Sequence, residues 1–188
     1  RGGAIYTSDS QVKITNSLFY NNTTWANSDG SQNNSSHGGA INMQSPAYYS
    51  SSDNKWVGGK AIIINSTFAN NRTVTGNISS NTTNGSAVFM ESWSRGEKFW
   101  FFNNIVWGNI RGEKKENSST SDQVYISDAA NAKNLNYNVI QNSGNLSAYQ
   151  DDGSFETDPA FADSINGDFS LSNASGLIGQ GSDSYEAV

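Results

Sequence analysis

Two short cassettes alternate four times along the chain, and this self-similarity restricts the fold more than any single residue does. The first is Ile14-Thr15-Asn16-Ser17-Leu18-Phe19-Tyr20-Asn21-Asn22, which returns at residues 63–71, 101–109 and 134–142. Each copy carries an Asn, an apolar residue three positions later and a second Asn three after that. The other cassette precedes it: Gly2-Gly3-Ala4-Ile5-Tyr6, Gly38-Gly39-Ala40-Ile41-Asn42, Gly85-Ser86-Ala87-Val88-Phe89 and the weaker Gln123-Val124-Tyr125-Ile126.

Short β-branched and aromatic runs bounded by Gly, Asn and Ser clusters predict strands, and no segment has an amphipathic helical stripe with caps. Repeated strands that each bury a narrow face predict a solenoid, in which equivalent residues of successive coils stack about 4.8 Å apart. Phe19, Phe68, Val106 and Val139 are expected to form one inward column, and Ile5, Ile41, Val88 and Val124 another. Alternation then turns Tyr6, Asn42, Phe89 and Tyr125 to the solvent face.

The recurrent Asn residues have a physical reason, since a stacked carboxamide can donate to the next one while satisfying backbone groups at a bend. Asn22, Asn71, Asn109 and Asn142 are expected to form one such ladder. Asn16, Asn65, Asn103 and Asn136 are expected to form a second.

A solenoid coil needs only about 20–30 residues, so the longer gaps must hold excursions. These are the polar stretches 24–37, 45–59, 74–84, 92–98 and 111–121. Residues 1–143 would thus supply about four coils. From residue 144 the pattern changes, and 144–188 reads as an irregular terminal coil or cap over open sheet edges.

Composition agrees with a thin core: hydrophobic residues are 35 %, yet aromatics reach 12 %, too many for a disordered chain. The net charge of −6 argues against nucleic-acid or anionic-membrane partners, which need clustered Lys and Arg. With no Cys there is no disulfide, thiolate nucleophile or Cys-based zinc site. There is no apolar run long enough to insert in a membrane and no leader pattern, and the opening directly on a repeat predicts an internal piece of a larger protein with further domains.

Gly-Gly-Ala-Ile at 2–5 and 38–41, with Phe-x-x-Asn at Phe19–Asn22 and Phe68–Asn71, resembles the paired repeat of chlamydial polymorphic outer-membrane proteins and related bacterial surface proteins. Asp158-Pro159-Ala160-Phe161, Gly167-Asp168-Phe169-Ser170-Leu171 and Gly176-Leu177-Ile178-Gly179-Gln180-Gly181 resemble the end of the repeat region in large secreted proteins with variable C-terminal anchors, common in Bacteroidetes. Both belong to the pectate-lyase-like superfamily. The resemblance implies an all-β, right-handed parallel β-helix on the outer cell surface or outside the cell. It carries no reaction with it.

Catalytic constellations are scarce. β-Helix pectin hydrolases pair Asp residues with a following Gly-His-Gly, whereas here the single histidine, His37, precedes the lone acidic pair Asp151-Asp152. His37 is expected to be a bend residue ahead of Gly38-Gly39. Asp151 and Asp152 have no counter-charge nearby and read as solvated loop carboxylates; with Asp158 they are the weak candidates for Ca²⁺, the one cofactor the sequence leaves open. Trp25, Tyr48, Tyr49, Trp56 and Trp93 lie in the excursions, outside the core columns. Such rings stack on the C–H faces of sugars while Asn, Gln and Ser meet the hydroxyls, although they can equally pack a loop onto the stack. The expectation is a non-catalytic surface module for adhesion or glycan binding, its partner an extracellular polysaccharide or the glycan of a host or neighbouring cell. Part of a polysaccharide lyase, or a structural stalk, is the alternative.

Overall fold

A computed structural model describes residues 2–8, 10–26, 36–44, 47–58, 60–75, 83–91, 98–112, 123–127, 135–143 and 154–183, with backbone alone at Ala26, Ala47, Tyr48, Trp56, Val57, Gly58, Thr75 and Lys98. Four parallel sheets stack in sequence order, as a solenoid requires. The first joins β1 (Ile5–Ser8), β6 (Ile41–Gln44), β13 (Val88–Glu91) and β17 (Val124–Ile126). The second joins β2 (Val12–Thr15), β9 (Lys60–Ile64) and β14 (Lys98–Phe102). The third joins β3 (Leu18–Tyr20), β10 (Thr67–Ala69), β15 (Ile105–Trp107) and β18 (Val139–Ile140). The fourth joins β4 (Thr23–Ala26), β11 (Arg72–Thr75) and β16 (Ile110–Arg111). A short pair, β5 (Ser36–His37) with β12 (Thr83–Asn84), leads back to the first sheet.

The core follows the inward columns. Ile5, Ile41, Val88 and Val124 are in register, and the last three are fully buried. Ile14, Ile63 and Phe101 form a second column, and the Phe19 and Phe68 rings stack at 4.8 Å. Below Phe68 and Val106 this column continues through Ile140. The expected Val139 instead pairs with Ile105, one residue out of step.

Corners are left-handed, which favours Asn and Gly. Between the second and third sheets they are Asn16, Asn65, Asn103 and Tyr137, at φ 49 to 56; between the third and fourth, Asn21, Asn70, Gly108 and Asn142. Gly38 shows why the other cassette opens on glycine: at φ 60, a Cβ there would lie 1.9 Å from the Ile41 carbonyl oxygen.

The amides that hold the coils together follow these corners. Asn22 Nδ2 donates to Asn71 Oδ1 at 2.9 Å, Asn71 Nδ2 to Asn109 Oδ1 at 2.8 Å, and Asn109 Nδ2 to Gln123 Oε1 at 2.8 Å. Gln123 Nε2 then donates to Gln141 Oε1 at 2.9 Å. Asn142 is therefore not the fourth rung: it occupies the corner, and its N–H donates to Glu156. Gln123 stands in register with Ala87 and, through it, with Ala40, since Val124 pairs with Val88 and Val88 with Ile41; its longer side chain reaches Asn109 and Gln141 to close the ladder.

The second ladder is displaced from the expected one, by one residue in the first three coils and by two in the fourth. Ser66 Oγ accepts the Ser17 N–H, Asn104 Oδ1 accepts the Ser66 N–H, and Asn104 Nδ2 donates to Asn138 Oδ1 at 3.2 Å. Asn16, Asn65 and Asn103 turn away from this line because the left-handed corner points their side chains outward. Asn136 precedes the Tyr137 corner and also lies off the ladder, its Oδ1 buried without a partner.

Two antiparallel hairpins depart from the coils: β7 (Ala47–Ser50) with β8 (Lys55–Gly58), and β19 (Phe161–Asp163) with β20 (Asp168–Leu171). The second belongs to a segment that reaches beyond the last coil. Phe155 bridges to Val139, but Phe169 packs 4.8 Å from Tyr20 of the first coil, and Ser182 exchanges two hydrogen bonds with the Asn103 side chain. Residues 154–183 thus form a lateral strap along the third sheet.

Candidate functional site

The excursion after β6 supplies an exposed polar and aromatic cluster. Its strands pair so that Tyr49 faces Trp56 and Tyr48 faces Val57 in register. The turn between them uses Asn54 at φ 51, a position where Asn is tolerated. Ser50 Oγ donates to Asp53 Oδ2 at 3.0 Å and accepts the Asp53 N–H at 3.3 Å, which ties the tip. The Tyr49 hydroxyl donates to Asn54 Oδ1, so the ring is oriented while 48 % of the residue stays exposed. Ser51, Ser52, Asp53, Asn54 and Lys55 around it are all exposed.

Trp25 is the other exposed ring of note. It lies on β4 with 67 % of its surface in solvent, whereas Val74, its register partner on the next coil, is buried. Trp25 belongs to the fourth sheet and Tyr49 to the hairpin beyond the first, so the coil carries them on different elements. The backbones of Tyr48 and Trp56 lie in the hairpin; their side chains, and Trp93, Asp151 and Asp152 altogether, fall outside the described residues. Asp158 accepts the Ala160 N–H at 2.8 Å, a local turn contact. Among the described residues no three His, Asp or Glu side chains converge as metal ligands.

The outer row of the first sheet corrects the expectation from alternation. Tyr6 is half exposed and donates from its hydroxyl to Gln44 Oε1 at 2.7 Å, and Tyr125 is partly exposed. Asn42 and Phe89 are buried. Tyr125 stacks on Phe89 at 5.7 Å with the rings 1° from parallel, and His37 stacks on it at 4.3 Å. His37, on the β5 strand that leads into β6, belongs to the same coil as Asn42. His37 is therefore more than a bend residue, a role that its position before Gly38 conceals. Burial first, then the positive charge of Arg111, pushes its pKa down to about 4, which keeps the ring neutral.

A cleft of about 70 Å³ between strap and stack, lined in part by Ile105, Tyr137, Val139, Leu171 and Leu177, is well below the ~300 Å³ at which ligand pockets begin. Family models, curated proteins and solved structures were compared with the chain, and none matches.

Proposed function

We propose that the chain is a segment of a right-handed parallel β-helix of a secreted or cell-surface protein, and that it binds extracellular glycan without catalysing a reaction. Tyr49 carries this reading: an exposed ring, oriented through its own hydroxyl, on a projecting hairpin whose tip presents hydroxyl, carboxylate and carboxamide groups. Sugars are met by such a combination, the ring taking a C–H face and the polar groups taking hydroxyls. Orienting the ring before binding lowers the ordering cost of the complex. Trp25 adds a second exposed ring on a rigid strand, which favours contact with an extended polysaccharide or a multivalent glycan surface.

A glycan array tests this directly. The protein is expected to bind a subset of printed glycans, and Tyr49→Ala is expected to lose most of that signal without a change in melting temperature. Absence of binding across plant, bacterial and animal glycans would leave the chain as a structural stalk. Release of unsaturated sugar products from polyuronates would make it part of a lyase.

A further inference from the structure

The first amide ladder has a direction. Inside the stack each rung is full: Asn71 Oδ1 accepts the N–H and Nδ2 of Asn22, while Asn71 Nδ2 donates both to Asn109 Oδ1 and to the Phe19 carbonyl of the coil before it. Asn109 is bonded in the same way to Asn71 and to the Phe68 carbonyl. At half-buried Asn22 the Nδ2 bond to Asn71 is present, but among the described residues its Oδ1 accepts no hydrogen bond and its Nδ2 meets no carbonyl. Ser17 repeats the pattern on the second ladder. Its hydroxyl donates to the Thr15 carbonyl as that of Ser66 does to Ile64, yet only Ser66 Oγ also accepts an N–H. The apolar columns open at the same level: Phe68 is fully buried, whereas Phe19, Ile5 and Val12 are only partly so. Among the described residues no strand pairs with the outer edges of β1, β2, β3 or β4. The opposite end differs, since Phe155 accepts from the Ile140 N–H and donates to the Asn138 carbonyl along the edge of β18.

We propose that the first coil is an acceptor face for one further coil of the same repeat, joined in line with β1 and carrying an apolar-x-x-Asn element over Phe19 and Asn22. This rests on the β-helix reading above and names the chemistry of the coil that docks. The interface one coil down shows what fits. An apolar residue offers its carbonyl to Asn22 Nδ2, and an Asn three positions later brings its N–H and Nδ2 together onto Asn22 Oδ1. The apolar side chain of that element takes the free face of Phe19, as Phe19 takes that of Phe68 at 4.8 Å. Asp in place of the Asn would set a carboxylate against Asn22 Oδ1, and an aliphatic residue would bury that oxygen with its side-chain donor missing. Each sheet of the stack joins coils that are consecutive in sequence, so the occupant is a coil of the same polypeptide. A second copy stacked head to tail would need the β18 edge that Phe155 already holds. Unpaired edges beside apolar surface are templates for an added strand, and solenoid stability is carried by such nearest-neighbour interfaces.

A second copy of residues 38–84 placed directly ahead of Gly2 supplies such a coil, with the added Asn71 over Asn22. Urea unfolding and amide hydrogen exchange of the full chain, with and without the addition, read the docking. The extended protein is expected to unfold in one transition at a higher urea midpoint, with the added Asn71 amide exchanging about tenfold or more slowly than in the same protein carrying Asn22→Ala. Asn22→Ala is expected to lower the midpoint about twice as far in the extended protein as in the native one, because it then removes the new bonds as well. An unchanged midpoint, an added coil that exchanges freely, or a loss from Asn22→Ala no larger after extension overturns the acceptor face. If the extended Asn22→Ala protein does not fold, Asn71→Ala in the added copy alone reads the same contact: it is expected to cancel most of the gain, and a gain kept in full overturns the proposal. Failure of the added coil while the Asn71 and Asn109 amides of the native protein stay protected sinks this face alone. Free exchange of those two amides in the native protein sinks the β-helix reading with it.

Discussion

Asn109 Oδ1 accepts two hydrogen bonds from Asn71, one from the side-chain Nδ2 at 2.8 Å and one from the backbone N–H at 2.9 Å. Asn71 Oδ1 does the same for Asn22, and each amide also donates to a carbonyl of the coil before it, Phe19 for Asn71 and Phe68 for Asn109. One side-chain type at one position therefore satisfies both the corner and the neighbouring coil.

Removing such a rung leaves buried donors and acceptors on two coils. Asn71→Ala is expected to cost about 3 kcal/mol in urea unfolding. Asn65→Gly, six residues earlier at an exposed left-handed corner, is expected to change stability by less than about 0.5 kcal/mol. Equal losses for the two would mean that the ladder is misassigned.

Gln123 closes the ladder only because its chain is one methylene longer than Asn. Gln123→Asn withdraws the amide from Asn109 and Gln141 and is expected to cost about 2 kcal/mol. Reduced hydrogen-exchange protection of the Asn109 amide, which donates to Gln123 Oε1 at 3.3 Å, is the local check.

His37 ties stability to pH. Its pKa falls from the ordinary 6.5 to about 4 in the fold, so between those values the unfolded chain binds more protons than the folded one. Stability from this group is complete above about pH 6.5 and is lost as pH falls toward 4. Discounted for partial exposure, the loss is on the order of 1 kcal/mol. Urea midpoints across this range are expected to show it in the native protein and not in His37→Phe, which keeps the stack on Phe89.

The strap is held by a few buried side chains. Phe169 packs against Tyr20 and edge-on to Phe161 at 5.2 Å, and Phe169→Ala is expected to cost about 3 kcal/mol. Ile165, 90 % exposed in the β19–β20 turn, provides the contrast: Ile165→Ser is expected to be neutral within about 0.5 kcal/mol. Thermal melts of both variants decide it.

The coils can be read from the sequence because inward residues and corners recur at fixed offsets, as with Ile5, Ile41, Val88 and Val124. The fourth coil is ambiguous for a definite reason. Asn134-Leu135-Asn136-Tyr137-Asn138 offers two frames with plausible Asn positions, and the frame that folds puts Tyr137, a residue disfavoured at positive φ, at the corner. Nor does pattern alone separate the outward corner Asn from the inward ladder residue that follows it, as at Asn103-Asn104. Gln123 appears only as a decayed Ala. Alternation gives the face on which Asn42 and Phe89 lie; the ring that stacks on Phe89 comes from His37, on the preceding short strand. For the hairpin, the aromatic and turn residues are visible in sequence, while the bond that orients Tyr49 is not.

The amide ladders tie each coil to the next, and the exposed rings of Tyr49 and Trp25 are proposed to contact glycan. Affinity electrophoresis on the glycan selected by the array, with melting curves of the same samples, tests it most directly. Tyr49→Ala and Trp25→Ala are expected to lose retardation with unchanged melting, and Asn71→Ala to lower the melting temperature while the folded protein is retarded as before. Full retardation in both aromatic variants would contradict the account.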